Sequence, residues 1–98
     1  MACSIVVMPT ARRQFIAACD WWRANRPVAP TLLEHELDHA LLAERPNLGA
    51  PWPRRPGVRR LVLGRVGYLI LYQLRSRAQR VEILALWHGS RGEPPRRL

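Results

Sequence analysis

Gly57-Val58-Arg59-Arg60-Leu61-Val62-Leu63-Gly64-Arg65-Val66-Gly67-Tyr68-Leu69-Ile70-Leu71-Tyr72 is the stretch that decides the fold. Two runs rich in leucine, β-branched and aromatic residues, Val58–Leu63 and Val66–Leu74, flank Gly64-Arg65. That pattern predicts two antiparallel strands joined by a short hairpin turn. In the second run Val66, Tyr68, Ile70 and Tyr72 share one face, and Leu69 and Leu71 share the other. Both faces are apolar. Such a strand is central: covered on both sides, or covered on one and turned toward a partner on the other. A third run, Arg80–Trp87, follows the connector Ser76–Gln79 and extends the sheet.

Outward from this core the periodicity changes. Residues 46–57 hold Pro46, Gly49, Pro51, Pro53, Pro56 and Gly57, which predicts a stiff, extended loop exposing Arg54 and Arg55. Before it, Leu33, Leu37, Ala40 and Leu41 form one stripe of a helix over roughly 29–45. Pro30 suits its first turn, Thr31 and Glu34 have capping-box spacing, and Pro46 closes it. Ala11, Phe15, Ala18, Cys19 and Trp22 mark a helix over 10–25, ended by Asn25 and Pro27. Residues 3–8 are a β-rich run stopped by Pro9. The tail Gly89–Leu98, with Pro94-Pro95 and Arg96-Arg97, reads as loose. The expected fold is a two-layer α+β domain over residues 1–98, ordered β-α-α-β-β-β. Its helix hairpin packs on one face of a small, mainly antiparallel sheet and leaves the other face partly open.

Composition narrows the function. The chain has 98 residues, enough for one domain whose core takes in about 60–65% of the unfolded surface. No apolar run exceeds five residues, Tyr68–Tyr72 among them, so no predicted helix spans a bilayer. The stretch Cys3–Met8 lacks the basic leader and small-residue cleavage site of a signal peptide, which makes the cytoplasm the expected location. Cys3 and Cys19 have no CxxC spacing and read as small core residues. All 16 basic residues are arginine, set against 7 acidic ones, for a net charge of +9 and a pI near 11.5. The resulting field attracts polyanions: nucleic acid or an acidic protein, ahead of an anionic membrane.

Several motifs also admit plainer uses of the same residues. His35-Glu36-Leu37-Asp38-His39 matches H-E-x-x-H, in which two histidines one helical turn apart share zinc and the glutamate activates water. These histidines lie opposite the Leu33–Leu37–Leu41 stripe, and the remaining histidine, His88, is on another element. The string therefore reads as a solvated polar helix face, with no metal. Ser4, Ser76 and Ser90 sit in no nucleophile elbow. Strand alternation sends one of Arg59 and Arg60 toward the helices, where it needs a carboxylate or carbonyl partner. His88 can carry acid–base chemistry, and Arg91 nearby can clamp a phosphate. Trp52, Tyr72 and Trp87 can stack on bases, but equally anchor a core or an interface.

In order along the chain stand Pro46–Gly49, Gly57-Val58-Arg59-Arg60-Leu61, Gly67-Tyr68-Leu69-Ile70-Leu71-Tyr72, and Val81-Glu82-Ile83-Leu84 running into Trp87-His88-Gly89-Ser90-Arg91. With the helix pair, this set resembles the ParE/RelE toxin superfamily of type II toxin–antitoxin systems, and the ParE branch more closely. RelE-type nucleases carry basic residues where this chain has Val62 and Leu69. The ParE resemblance implies a growth-inhibiting, plasmid-stabilising toxin that binds DNA gyrase, uses no cofactor and performs no bond chemistry. It further implies a cognate ParD-like antitoxin with a ribbon-helix-helix N-terminus and an acidic C-terminal segment lying across helices and sheet. Operator DNA would be reached only through that antitoxin. The surface expected to meet target or antitoxin comprises Arg59, Arg60, Tyr68, Tyr72, Trp87, His88 and Arg91. The alternative is a RelE-type ribosome-dependent mRNA endonuclease using Arg60, His88 and Arg91.

Overall fold

The computed structural model describes residues 3–38 and 45–91. β1 (Ser4–Val7) leads through Met8 into α1 (Pro9–Asn25), and α2 (Leu32–Asp38) follows. The sheet continues with β2 (Ala50–Pro51), β3 (Val58–Leu63), β4 (Tyr68–Arg75) and β5 (Arg80–His88). Strand order is β1-β5-β4-β3-β2. β1 runs parallel to β5, and every other pair is antiparallel. The expected α+β architecture is present: the helix pair packs on one face of this sheet.

Pro9 opens α1 at a position where its missing N–H costs nothing. The predicted stripe faces the sheet: Ala11, Ala18 and Trp22 are buried, and Phe15 and Cys19 pack beside them. Trp22 donates its indole N–H to the Ala29 carbonyl at 2.7 Å, pinning the link between the helices. That link sets the start of α2 at Leu32, two residues past Pro30, so Pro30 precedes the first turn. Arg23 and Glu34 pair across the two helices. Leu33 is fully enclosed, while Ala40 and Leu41 of the expected stripe lie outside the described residues.

β4 is central, between β3 and β5. Ile70 and Tyr72 join the core under the helices, with Tyr68 packed against it; Leu69 and Leu71 join a second cluster on the opposite face. The period of two thus assigns the faces of this strand correctly. The hairpin turn is longer than Gly64-Arg65. The ladder closes at Leu63↔Tyr68, and both Val66 and Gly67 donate to the Leu63 carbonyl. Gly67 has φ 75°, the left-handed region that glycine reaches without strain. Val66 therefore sits in the turn, although it is still buried with the helices.

Two further differences concern β5 and the proline-rich stretch. A bulge interrupts the β4–β5 register: Leu71 faces Ala85 while Tyr72 faces Ile83. Leu84 and Ala85 consequently both fall on the helix-free face, and Leu86 returns to the helix side. Beyond the end of β1, the Gln14 side chain accepts the Leu86 N–H at 2.9 Å. In the stretch expected as loop, Ala50 and Pro51 pair with Arg60 and Arg59 as the outermost strand. Proline is tolerated there because an edge has one side without ladder bonds. Among the described residues no helix is long and apolar enough to cross a membrane.

Candidate functional site

The helix-free sheet face is less open than the sequence suggested. Its centre is an apolar floor of Val58, Leu69, Leu71, Leu84 and Ala85, all buried. Trp52 folds onto it from the 52–57 turn, and Met8 and Trp87 flank it. The buried Trp52 indole N–H finds no acceptor among the described residues. Val62 is 62% exposed and extends apolar surface to the rim. Arg60 lies on this face, paired in register with Leu71, and is half-buried.

Glu82 is the buried carboxylate of this face, 6% exposed. Gln73 Nε2 donates to Oε1 at 2.7 Å and Arg75 Nε to the same oxygen at 3.0 Å. Arg80 donates through Nε and Nη2 to Oε2, at 3.1 and 2.9 Å. The Gln73 amide foremost, then the Arg75 and Arg80 guanidiniums, hold the Glu82 carboxyl below its ordinary range. A depressed native pKa stabilises the fold above the pKa of the unfolded carboxyl and is lost as pH falls through the native value. Unfolding midpoints should therefore drop on acidification below about pH 4.5. Glu82→Gln should flatten that part of the profile, and an unchanged acid profile in the variant would remove Glu82 as its source.

His88 stands at the other end of β5, opposite Tyr68 in register. The two rings meet edge-on, 4.9 Å between centroids. Ser90 donates its backbone N–H to His88 Nδ1 at 3.2 Å, and Ser90 Oγ lies 2.5 Å from the same nitrogen. A backbone N–H only donates, so Nδ1 is an acceptor here and a neutral ring carries its proton on Nε2. Tyr68 packs against the helix-side core, whereas Leu71, the partner of Arg60, belongs to the other face. Arg60 and His88 are thus on opposite faces of the sheet. Arg91 ends the 3-10 turn that follows β5.

Two expected surface residues are structural instead. Tyr72 is fully buried. Its hydroxyl donates to the Pro46 carbonyl and accepts the Gly49 N–H, each at 2.8 Å. No part of Tyr72 is left for a partner, which corrects the expectation that it contacts target or antitoxin. Arg59 turns to the helix side and donates to the Gly49 carbonyl at 2.6 Å, the carbonyl that alternation required. Gly49 itself has no room for a side chain, since a Cβ there would lie 2.8 Å from the Arg60 carbonyl oxygen. Trp87 is half-buried beside the apolar floor.

The H-E-x-x-H string makes no centre among the described residues. His35 is exposed, Glu36 pairs with Arg65 of the β3–β4 turn at 3.1 Å, and His39 lies outside the described residues. No three metal-ligating side chains converge among the described residues. A groove of about 320 Å³ runs between α1 and α2, lined by Phe15, Ile16, Cys19, Asp20, Arg23 and Glu34. Burial, then the Glu34 charge, pushes the Cys19 thiol up, which keeps it protonated and unreactive. Sequence reasoning missed both the Glu82 cluster and this groove. Glu82 as an isolated acid within an apolar strand was the available signal for the cluster. The groove had none, because it depends on how two helices cross.

Comparison with known proteins agrees with this architecture. No curated protein sequence matches the chain. Among solved structures, the toxin–antitoxin complex RelBE2 from Mycobacterium tuberculosis contains a chain of similar fold, at TM-score 0.62 and 23% identity. The alignment covers 90% of this chain and 99% of that one, and at this identity the likeness speaks for fold alone. Residues 5–92 match the family described as ParE toxin of the type II toxin-antitoxin system, parDE. With that match spanning the helix pair and the sheet from β1 to β5, the chain belongs to the ParE toxin family and is a type II toxin.

Proposed function

We propose that this toxin inhibits DNA gyrase by binding it, without bond chemistry of its own, and that a ParD-like antitoxin with an acidic C-terminal segment neutralises it. The observation that carries this reading is the separation of Arg60 from His88. The nuclease reading needs Arg60, His88 and Arg91 together at one scissile bond, and two of the three, Arg60 and His88, lie on opposite sides of the sheet. The helix-free face is an apolar floor with a basic rim, a composition suited to holding a protein. The net charge of +9 favours an acidic wrapping segment.

The test is DNA supercoiling by purified gyrase with the toxin in excess. Supercoiling should fall with toxin concentration and recover when the antitoxin is added. His88→Ala should inhibit as strongly as the parent, and mRNA in a translating extract should remain intact. Unchanged supercoiling at excess toxin overturns the gyrase reading. Cleavage of ribosome-bound mRNA, reduced about tenfold or more by His88→Ala or Arg91→Ala, would establish the nuclease instead.

A further inference from the structure

We propose that the tip of the β4–β5 hairpin is a binding site for the phosphate backbone of duplex DNA, built from Arg75 and Arg80, both oriented by Glu82, and the exposed Arg77 between them. This is independent of which macromolecule the toxin poisons.

The argument starts with the register. Arg75 and Arg80 are the last cross-strand pair of the hairpin. Side chains directly opposite each other share a face, so both guanidiniums belong to the side that holds Glu82. Like charges placed opposite repel, and an intervening carboxylate must hold them. Glu82 does so, through Arg75 Nε on one oxygen and Arg80 Nε and Nη2 on the other. Gln73 adds a bond from behind. Arg75 engages Glu82 by Nε alone, so its two terminal nitrogens take no part in that pairing. The side chains of Arg75 and Arg80 remain 57% and 41% exposed while the carboxylate is nearly closed off. Three arginines against one glutamate leave a local charge of 3 − 1 = +2. The energetic consequence is pre-organisation: two guanidinium forks are held near the surface before any anion arrives, so less side-chain entropy is lost when one binds.

The tip favours a nucleic acid over a protein. Residues Ser76–Gln79 are all exposed, and none is aromatic or large and apolar. Protein interfaces draw their affinity from buried aromatic and aliphatic anchors, which Ser76–Gln79 does not offer. Single strands are held by stacking on aromatic rings, also missing from the tip. What remains is fixed positive charge on a two-stranded ribbon, which suits contact with a duplex backbone. The turn entering β3 opposite Gln73 brings Arg54 and Arg55 to the same end of the sheet, reinforcing the field.

The experiment compares charge-matched double variants of the full chain. Arg75→Gln/Arg77→Gln removes two charges at the tip and leaves Arg80 on Glu82. Arg12→Gln/Arg13→Gln removes two exposed charges from the turn of α1 next to Gln14, which reaches Leu86 away from the tip. Binding to a labelled, mixed-sequence DNA duplex is followed by fluorescence anisotropy from about 50 to about 200 mM salt. The tip variant should bind about tenfold more weakly, with a slope of log K against log salt shallower by about 2. The α1 variant should stay within about threefold of the parent. Glu82→Gln supplies an independent sign: lost orientation weakens duplex binding, although the variant is more positive. Thermal melts confirm folding, and Arg77→Gln alone serves if a variant fails to fold. The proposal is overturned if the parent does not bind, if both double variants weaken alike, or if Glu82→Gln binds more tightly. It is also overturned if the tip variant loses polyglutamate or single-stranded RNA binding while its duplex binding is unchanged.

Discussion

Tyr72→Ala should remove about 3–5 kcal/mol of folding stability. A chain of this size has about 5–15 kcal/mol in total, so the variant should be largely unfolded in modest denaturant. The size of the effect follows from what one side chain does. The ring is fully buried in the helix-side core. Its hydroxyl joins two backbone groups of the loop that reaches the outer edge of the sheet, the Pro46 carbonyl and the Gly49 N–H. Tyr72→Phe separates the two contributions. It keeps the packing but strands a buried N–H, at a cost of about 1–3 kcal/mol. Urea midpoints measure both. An alanine variant within 1 kcal/mol of the parent, on the scale that cavity formation sets, would show that this ring is not central to the fold.

Trp22→Ala should cost a similar amount, again about 3–5 kcal/mol. Trp22 is buried under α1 and also ties the α1–α2 link through its bond to Ala29. α2 draws its stability from tertiary packing, through that tie and through the enclosed Leu33. Loss of the indole should therefore loosen α2 before the sheet. Amide exchange should show this as faster exchange at Glu34–Leu37 than across β4. Trp22→Phe should cost far less, about 0.5–1.5 kcal/mol, because Ala29 is half-exposed and water can replace the indole at this part-buried bond. Equal exchange rates in α2 and β4 of the alanine variant would mean that the two elements melt as one unit.

The α1 stripe and the two faces of β4 were legible because each periodicity is local: the apolar residues alone say which side is buried. That one of Arg59 and Arg60 faces the helices was legible for the same reason, but which one was decided by the structure. The role of Tyr72 was not. Alternation places a tyrosine on the inner face, but nothing in its neighbours says that a loop more than twenty residues away supplies a carbonyl and an N–H to its hydroxyl. The bulge at Leu84-Ala85 was equally hidden. It is a two-against-one mismatch between strands, and neither strand shows it alone.

The sequence by itself determined the order of β1, the two helices and the three long strands, the two-sided burial of β4 and the excess of positive charge, since these follow from residue type and spacing along one chain. Only the tertiary structure decided which charges meet. It turned Arg60 and His88 to opposite sides of the sheet, spent the Tyr72 hydroxyl on a loop, and gathered Arg75 and Arg80 around Glu82. Cross-strand register and a single bulge set those meetings, and register is a relation between distant segments that no local pattern encodes.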